Sequence, residues 1–354
     1  MAESRWRSPG GASRDPGPAS LRRMERRYAV GFVLVLISAA AFGSGALFAK
    51  PVYGAGVDWH TLSAWRFGVG AALAWAWVLS RPAGRRILAG WSRRRVAVTL
   101  ALGLLYVGNS GTYFAGLETV PASLAALIVY IYPAIVAVLS LRFGRRLQGR
   151  RAWGALALAL VGVTLTVGSI EADSAPPIAG LILVTASPVI YAVWIVLAAR
   201  LSGERRDGRD GRPAPRSDGA DAAVGGADAA VATALLTTAT AVAFWASALI
   251  VGRPVLPSEI PGGAWPGLIG VGAVSTFIAI QTFYGGAQRV GAARASLIST
   301  VEPVYTIALA AVLLGESLAP LQLVGGALIL IGVLIAQATP GAMRNRLRIR
   351  IADE

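Results

Sequence analysis

Apolar stretches of about 20 residues recur along the chain between short polar segments, and each can cross roughly 30 Å of hydrocarbon as a helix rising 1.5 Å per residue. The pattern predicts ten such helices, over residues 29–50, 61–80, 96–117, 121–142, 152–170, 177–199, 229–251, 264–287, 292–314 and 320–339. Polar residues interrupt the third, at Asn109-Ser110-Gly111-Thr112, and the eighth, at Gln281. Residues 1–28 hold seven Arg with no apolar run, and are expected to be a disordered basic cytoplasmic tail. The first apolar stretch starts too late and runs too long for the core of a signal peptide. Residues 202–228, rich in Gly, Asp, Arg and Pro, read as a flexible cytoplasmic linker. Residues 341–354 form a second basic tail, whose Arg344, Arg346, Arg348 and Arg350 suit anionic headgroups.

Composition sharpens this picture. Of 354 residues 55% are hydrophobic and 14% charged, and the mean hydropathy is +0.61, too apolar for an ordinary soluble domain. The net charge of +15 raises the question of nucleic acid. Binding there needs a basic face on a folded domain, whereas these residues lie between apolar runs, so no nucleic-acid partner is expected. Without Cys and with His60 as the only His, thiolate chemistry and multi-histidine metal sites are excluded. Lys50, the only Lys, is followed by Pro51, so no phosphate-binding loop of the G-x-x-x-x-G-K-[ST] type exists. No catalytic residue, metal or cofactor is expected.

Charge placement tests the helix count, because Lys and Arg gather in short cytoplasmic loops. With the N-terminus inside, 30 of the 33 basic residues fall in cytoplasmic segments. Lys50 and Arg253 fall outside, and Arg66 lies within a span. This bias predicts ten crossings of the cytoplasmic membrane with both termini cytoplasmic.

The chain also repeats itself. A shift of 170 residues brings Val120, Ala122, Ala125, Pro133, Leu139, Ala157, Leu158, Leu160, Gly162 and Val163 onto identical residues, Val290 to Val333. A shift of 149 does the same for Gly31, Leu34, Val35, Ser38 and Ala49 against Gly180, Leu183, Val184, Ser187 and Ala198. Five crossings per unit force opposite orientations, so the expected fold is an all-α integral membrane protein with ten transmembrane helices in two inverted five-helix repeats, residues 29–170 and 171–340. Inverted repeats whose helices are broken by proline at matching places, here Pro133 and Pro303, characterise secondary transporters with a mid-membrane site. Small residues such as Ala155 with Ala159 and Gly332 with Ala336 suit close helix packing.

Candidate chemistry centres on Ser299–Glu316, where Glu302 and Pro303 stand together in an apolar run. A carboxylate at mid-bilayer costs several kcal/mol unless paired, solvated or protonated. Pro303 has no amide hydrogen, which leaves the Ser299 carbonyl without its helical partner. The alternative reading is a capped kink. Arg66, about five residues or roughly 8 Å inside its helix end, is read as a ligand for a substrate carboxylate, as a partner for Glu302, or as a snorkelling side chain. Asn109, Tyr130, Tyr132, Tyr191, Trp194, Gln281, Ser299 and Tyr305 are further candidates for a substrate route; helix-to-helix hydrogen bonding is the plainer role for each. Tyr113 and Tyr284, near span ends, read instead as interface anchors.

The segment Glu302–Ile335, EPVYTIALAAVLLGESLAPLQLVGGALILIGVLI, closely resembles the carboxyl end of an EamA-type domain of the drug/metabolite transporter superfamily. Phe42-Gly43-Ser44 with Lys50, and Trp65-Arg66-Phe67, resemble the start of the first such domain. The resemblance covers roughly residues 29–340 and is most specific in L-G-E-x-L-x-P-x-Q, Leu314 to Gln322. It implies transport of small metabolites, often export of amino acids or related compounds. One departure stands out: Phe143-Gly144-Arg145 occupies the place of Leu314-Gly315-Glu316 in the other half.

Sequence therefore predicts a secondary transporter that moves a small metabolite outward by alternating access, with protons as a candidate coupling ion, membrane lipid around it and a homodimer as a candidate assembly. A membrane-embedded lipid-modifying enzyme, or a channel or scaffold, is the alternative.

Overall fold

The computed structural model describes residues 18–141, 149–168, 175–201, 219–290, 295 and 298–337. Among them there is no strand. The helices are α1 (Pro18–Gly54), α2 (Trp59–Ser80), α3 (Pro82–Gly90), α4 (Arg93–Leu117), α5 (Ala122–Val129), α6 (Tyr132–Leu141), α7 (Gly149–Gly168), α8 (Ile178–Leu201), α9 (Gly219–Ile250), α10 (Trp265–Gly272), α11 (Ala279–Val290), α12 (Val301–Leu314) and α13 (Pro320–Gln337). A π-helical turn, Ala273–Ile278, joins α10 to α11. Six segments are long and apolar enough to cross a membrane, and shorter apolar helices cover 122–136, 153–166, 301–314 and 320–335. Large apolar side chains line the outside of the bundle, with Ile178 76%, Val312 78% and Ile250 85% exposed. Such a surface is stable against lipid, not water.

Two boundaries depart from expectation. α1 starts at Pro18 and α9 at Gly219, so 18–28 and 219–228 are helical rather than tail and linker. Pro18 suits a first helical position, and the Ala-rich start of α9 favours helix before the apolar run begins. The rest of both tails and of the linker, with Arg145, lies outside the described residues.

Proline divides two of the expected helices. A turn at Tyr130–Ile131 separates α5 from α6, and a turn at Ser299–Thr300 precedes α12. Pro133 and Pro303 cannot donate to the carbonyl four residues back, and each stands in the first turn of a new helix, where no donor is needed. Shorter bonds tighten the junctions, Ala134 N–H to Ile131 O at 3.0 Å and Glu302 N–H to Ser299 O at 3.0 Å.

The main helix pairs are α1 with α11, α4 with α8, α2 with α9, and α7 with α13. The two sequence shifts exchange the first two pairs and return each of the others to itself. The correspondence reaches individual atoms. A Cβ on Gly286 would meet Val35 Cγ2 at 2.5 Å and Gly31 O at 2.9 Å, while one on Gly116 would meet Val184 Cγ2 at 2.5 Å and Gly180 O at 2.8 Å. Ser38 Oγ donates to Ala279 O at 2.8 Å, and its counterpart Ser187 Oγ reaches Asn109 O at 3.3 Å. Between α7 and α13, a Cβ on Gly162 would lie 2.5 Å from Gly325 O, and one on Gly332 2.8 Å from Ala155 O. Backbones in contact at small residues supply the packing that hydrophobicity cannot supply in lipid.

Several connections meet at one end of the bundle. Lys50 Nζ donates to Val120 O at 2.6 Å, the Trp59 N–H to Glu118 at 2.5 Å, and Thr61 Oγ1 to Pro254 O at 2.8 Å. Arg253 pairs with Asp58 at 3.4 Å. Burial of Glu118 pushes its carboxyl above the ordinary value, opposed by the Trp59 N–H. The L-G-E-x-L-x-P-x-Q segment belongs to this end. Gly315, at φ 66, closes α12 in the left-handed conformation. Glu316 then accepts from the Ala122 N–H at 2.8 Å, the Ser123 N–H at 2.8 Å and Ser123 Oγ at 2.6 Å, capping α5 across the bundle. Pro320 opens α13, and Gln322 Oε1 accepts from the Ala319 N–H at 2.9 Å.

Glu316→Ala strips three donors of their acceptor and should lower stability by about 1–2 kcal/mol, with Glu316→Gln losing less; thermal unfolding in detergent measures both. Gly116→Val and Gly286→Val should damage stability to similar extents in the same assay, because each forces apart an equivalent helix pair. Gly154→Ala, where a Cβ meets nothing within 4 Å, should leave the melting temperature level or slightly raised.

Candidate functional site

Glu302 lines a cavity where α12 meets α1, α4 and α5. The remaining walls are Phe42, Gly43, Tyr113, Ala126, Val129, Tyr130, Pro303 and Thr306, around a small, partly open space. Local chemistry explains this opening. Pro303 breaks the helix at the turn that presents Glu302. Gly43 lets α1 pass so close that a Cβ there would sit 2.6 Å from Thr306 Oγ1 and 3.0 Å from Tyr305 Cδ1. Among the described residues the Glu302 carboxylate has neither an ion pair nor a hydrogen bond.

The carbonyl freed by Pro303 is not left open. Ser299 O accepts from the Tyr130 hydroxyl as well as from the Glu302 N–H. A residue beside one break thus satisfies the other. Thr306 Oγ1 is likewise engaged, with Gly43 O at 3.1 Å and Glu302 O at 3.0 Å.

Arg66 corrects two expectations. At 8% exposure it does not snorkel, and it forms no ion pair with Glu302. Its Nε donates to Thr276 Oγ1 at 2.9 Å and its Nη1 reaches Ser110 Oγ at 3.5 Å. The guanidinium carbon lies 4.5 Å from the Phe114 ring centre and 4.9 Å from that of Phe67, a cation–π enclosure that partly replaces lost hydration. The π-helical turn delivers Thr276, whose hydroxyl bonds five residues back to Val271 O at 3.1 Å.

Rings extend away from the cavity. Tyr130 and Tyr132 have centroids 5.8 Å apart, Tyr132 and Tyr191 4.8 Å, and Tyr191 and Trp194 5.9 Å. Tyr106 touches both Tyr191, at 6.2 Å, and Trp194, at 5.2 Å.

Of the residues singled out from sequence, Glu302 and Tyr130 share the cavity, and Tyr132, Tyr191 and Trp194 form a chain of ring contacts leading away from Tyr130. Asn109 instead accepts from Ser187 at 2.9 Å, Ser299 Oγ bonds to Ala295 O at 3.0 Å, and Tyr305 packs against Gly43. Gln281 is set apart, its buried amide nitrogen without a hydrogen-bond partner among the described residues. Tyr113, read as an interface anchor, lines the cavity. Tyr106, Thr276 and Thr306 carried no sequence signal beyond being polar residues in apolar runs.

Comparison with known proteins agrees with this architecture. The model of the EamA-like transporter family matches residues 29–168 and 221–337. An "uncharacterized transporter" of Archaeoglobus fulgidus is 28% identical over 225 residues, 64% of this chain and 70% of that protein. The "uncharacterized transporter YyaM" of Bacillus subtilis is 25% identical over 279 residues, 77% of this chain and 83% of that protein. A crystal structure covering 88% of this chain and 97% of its own superposes with a TM-score of 0.55 at 23% identity, a likeness of fold. With both halves of the helical bundle matched, this chain belongs to the EamA-like transporter family and is a multi-pass membrane protein that handles a small-molecule substrate.

Proposed function

We propose that the protein is a secondary transporter that exports a small metabolite, an amino acid or related compound, across the cytoplasmic membrane by alternating access. Ten helices in two inverted five-helix repeats form the carrier, with both termini cytoplasmic, and the repeats rock about the cavity at Glu302. The observation that carries this reading is the unpaired carboxylate facing a cavity between two proline-broken helices. Charge in an apolar bundle is costly and points to a ligand path, and broken helices at matching places suit a site at the interface of repeats.

In this reading Glu302 and Tyr130 contact substrate, while Tyr132, Tyr191 and Trp194 line its route. Pro133 and Pro303 supply the breaks about which each half bends. Arg66 holds α2 against the π-helical turn through Thr276, and Gln281 offers a free amide donor along the same helix. Asn109, Ser299 and Tyr305, engaged with neighbouring helices, position those elements. Protons are the proposed coupling ion, with Glu302 binding substrate and proton in turn. The symmetric exchange of helix contacts supports the repeat architecture and favours a carrier over a lipid-modifying enzyme.

Proteoliposomes loaded with labelled amino acids and related metabolites should show saturable counterflow; its absence across a broad panel with folded protein would remove the carrier reading. Glu302→Gln should lower transport about tenfold or more, because a charge-assisted contact contributes roughly 1.5–3 kcal/mol, while expression in the membrane is retained. Lack of native Cys permits single-cysteine mapping. Ser317→Cys should react with an impermeant maleimide on intact cells and Gly90→Cys only after permeabilisation, and the reverse order would invert the topology.

A further inference from the structure

We propose that the Glu302 cavity takes the positive end of a small organic cation, a protonated amine carried on an apolar or aromatic body. This rests on the transporter reading and narrows it to a class of substrate.

Three observations point there. First, the Glu302 carboxylate has no counter-charge among the described residues, and a carboxylate removed from water is stabilised by one. Second, the other groups around it are poor hosts for an anion. The Tyr130 hydroxyl is spent on Ser299 O and the Thr306 hydroxyl on Gly43 O and Glu302 O. Ala126, Val129 and Pro303 offer only apolar surface there, and among the described residues no Lys, Arg, Asn or Gln borders the space, which leaves the Tyr113 hydroxyl as its one donor without a hydrogen bond. Third, Phe42, Tyr113 and Tyr130 border it, and ring faces attract ammonium groups, most strongly when water is excluded. Ring contacts run on from Tyr130 through Tyr132 and Tyr191 to Trp194, and the proposed place for the body of the ligand is along them.

Arg66 is the natural candidate for a second charged contact, to a substrate carboxylate. It does not border the cavity, and Thr276, Ser110, Phe67 and Phe114 already enclose it. A cation therefore fits this space better than a zwitterion or an anion of the same size.

The test compares probes of matched shape on the reconstituted wild-type protein by equilibrium binding of radiolabelled phenethylammonium at neutral pH. Unlabelled phenethylammonium should displace it at least about tenfold better than 2-phenylethanol, a difference of about 1.4 kcal/mol, and 3-phenylpropanoate should not displace it. Phenylalanine, the zwitterion, should fall below phenethylammonium. Glu302→Gln should abolish the preference for the amine, and Glu302→Asp, which keeps the charge, should retain part of it. Equal displacement by the alcohol, stronger displacement by the acid or the amino acid, or no saturable binding of the amine overturns the proposal; so does a preference for the amine that Glu302→Gln leaves intact. Each of these results is compatible with saturable counterflow of another metabolite by the same proteoliposomes, so failure here is distinct from failure of the transporter reading.

Discussion

Hydrocarbon offers no hydrogen bonds, so a break in a helix or a charge on one must find its partners inside the protein. That constraint governs this bundle. Two prolines each interrupt a helix, and both interruptions are turned inward. The Ser299 carbonyl, deprived of its usual donor by Pro303, takes the Tyr130 hydroxyl from the turn beside Pro133. Each break thus lies within reach of the other, and the cavity opens where they meet.

The scaffold around them is symmetric, but its contents are not. Glycine contacts at Gly31 and Gly286 are reproduced by Gly180 and Gly116, and the Ser38 bond is reproduced by Ser187. The shift that superposes Pro133 on Pro303 sets Tyr132 against Glu302. One half brings a ring to the residue before its proline and the other brings a carboxylate. A similar asymmetry holds at the loop end, where Glu316 caps α5 from the opposite half while Arg145 stands in the corresponding place. Close glycine packing requires the two halves to match, because backbone contact tolerates no added atoms. Polar positions facing the cavity are under no such restraint and are free to diverge.

Arg66 shows how a buried cation can be housed without an acid. Two ring faces and two hydroxyls surround its guanidinium. Pairing it with Glu302 would have cancelled both charges and left the cavity neutral. Keeping them apart leaves the cavity a carboxylate without a counter-charge among the described residues, at the cost of a dedicated enclosure for the arginine.

Local pattern was enough to determine the all-helical character, the apolar segments and where proline interrupts them, and it singled out Glu302 as a candidate. These follow from apolar run length, from the missing N–H of proline and from the expense of charge in lipid, all properties of a few consecutive residues. Tertiary structure alone decided which side chains meet: Tyr113 rather than Arg66 beside Glu302, Tyr130 on the Ser299 carbonyl, Glu316 on α5 across 194 residues of chain. It also decided the π-helical turn that hands Thr276 to Arg66. Helix periodicity limits which face a residue occupies, but the choice of facing helix depends on where glycines permit close approach, and that is settled only when all the helices pack at once.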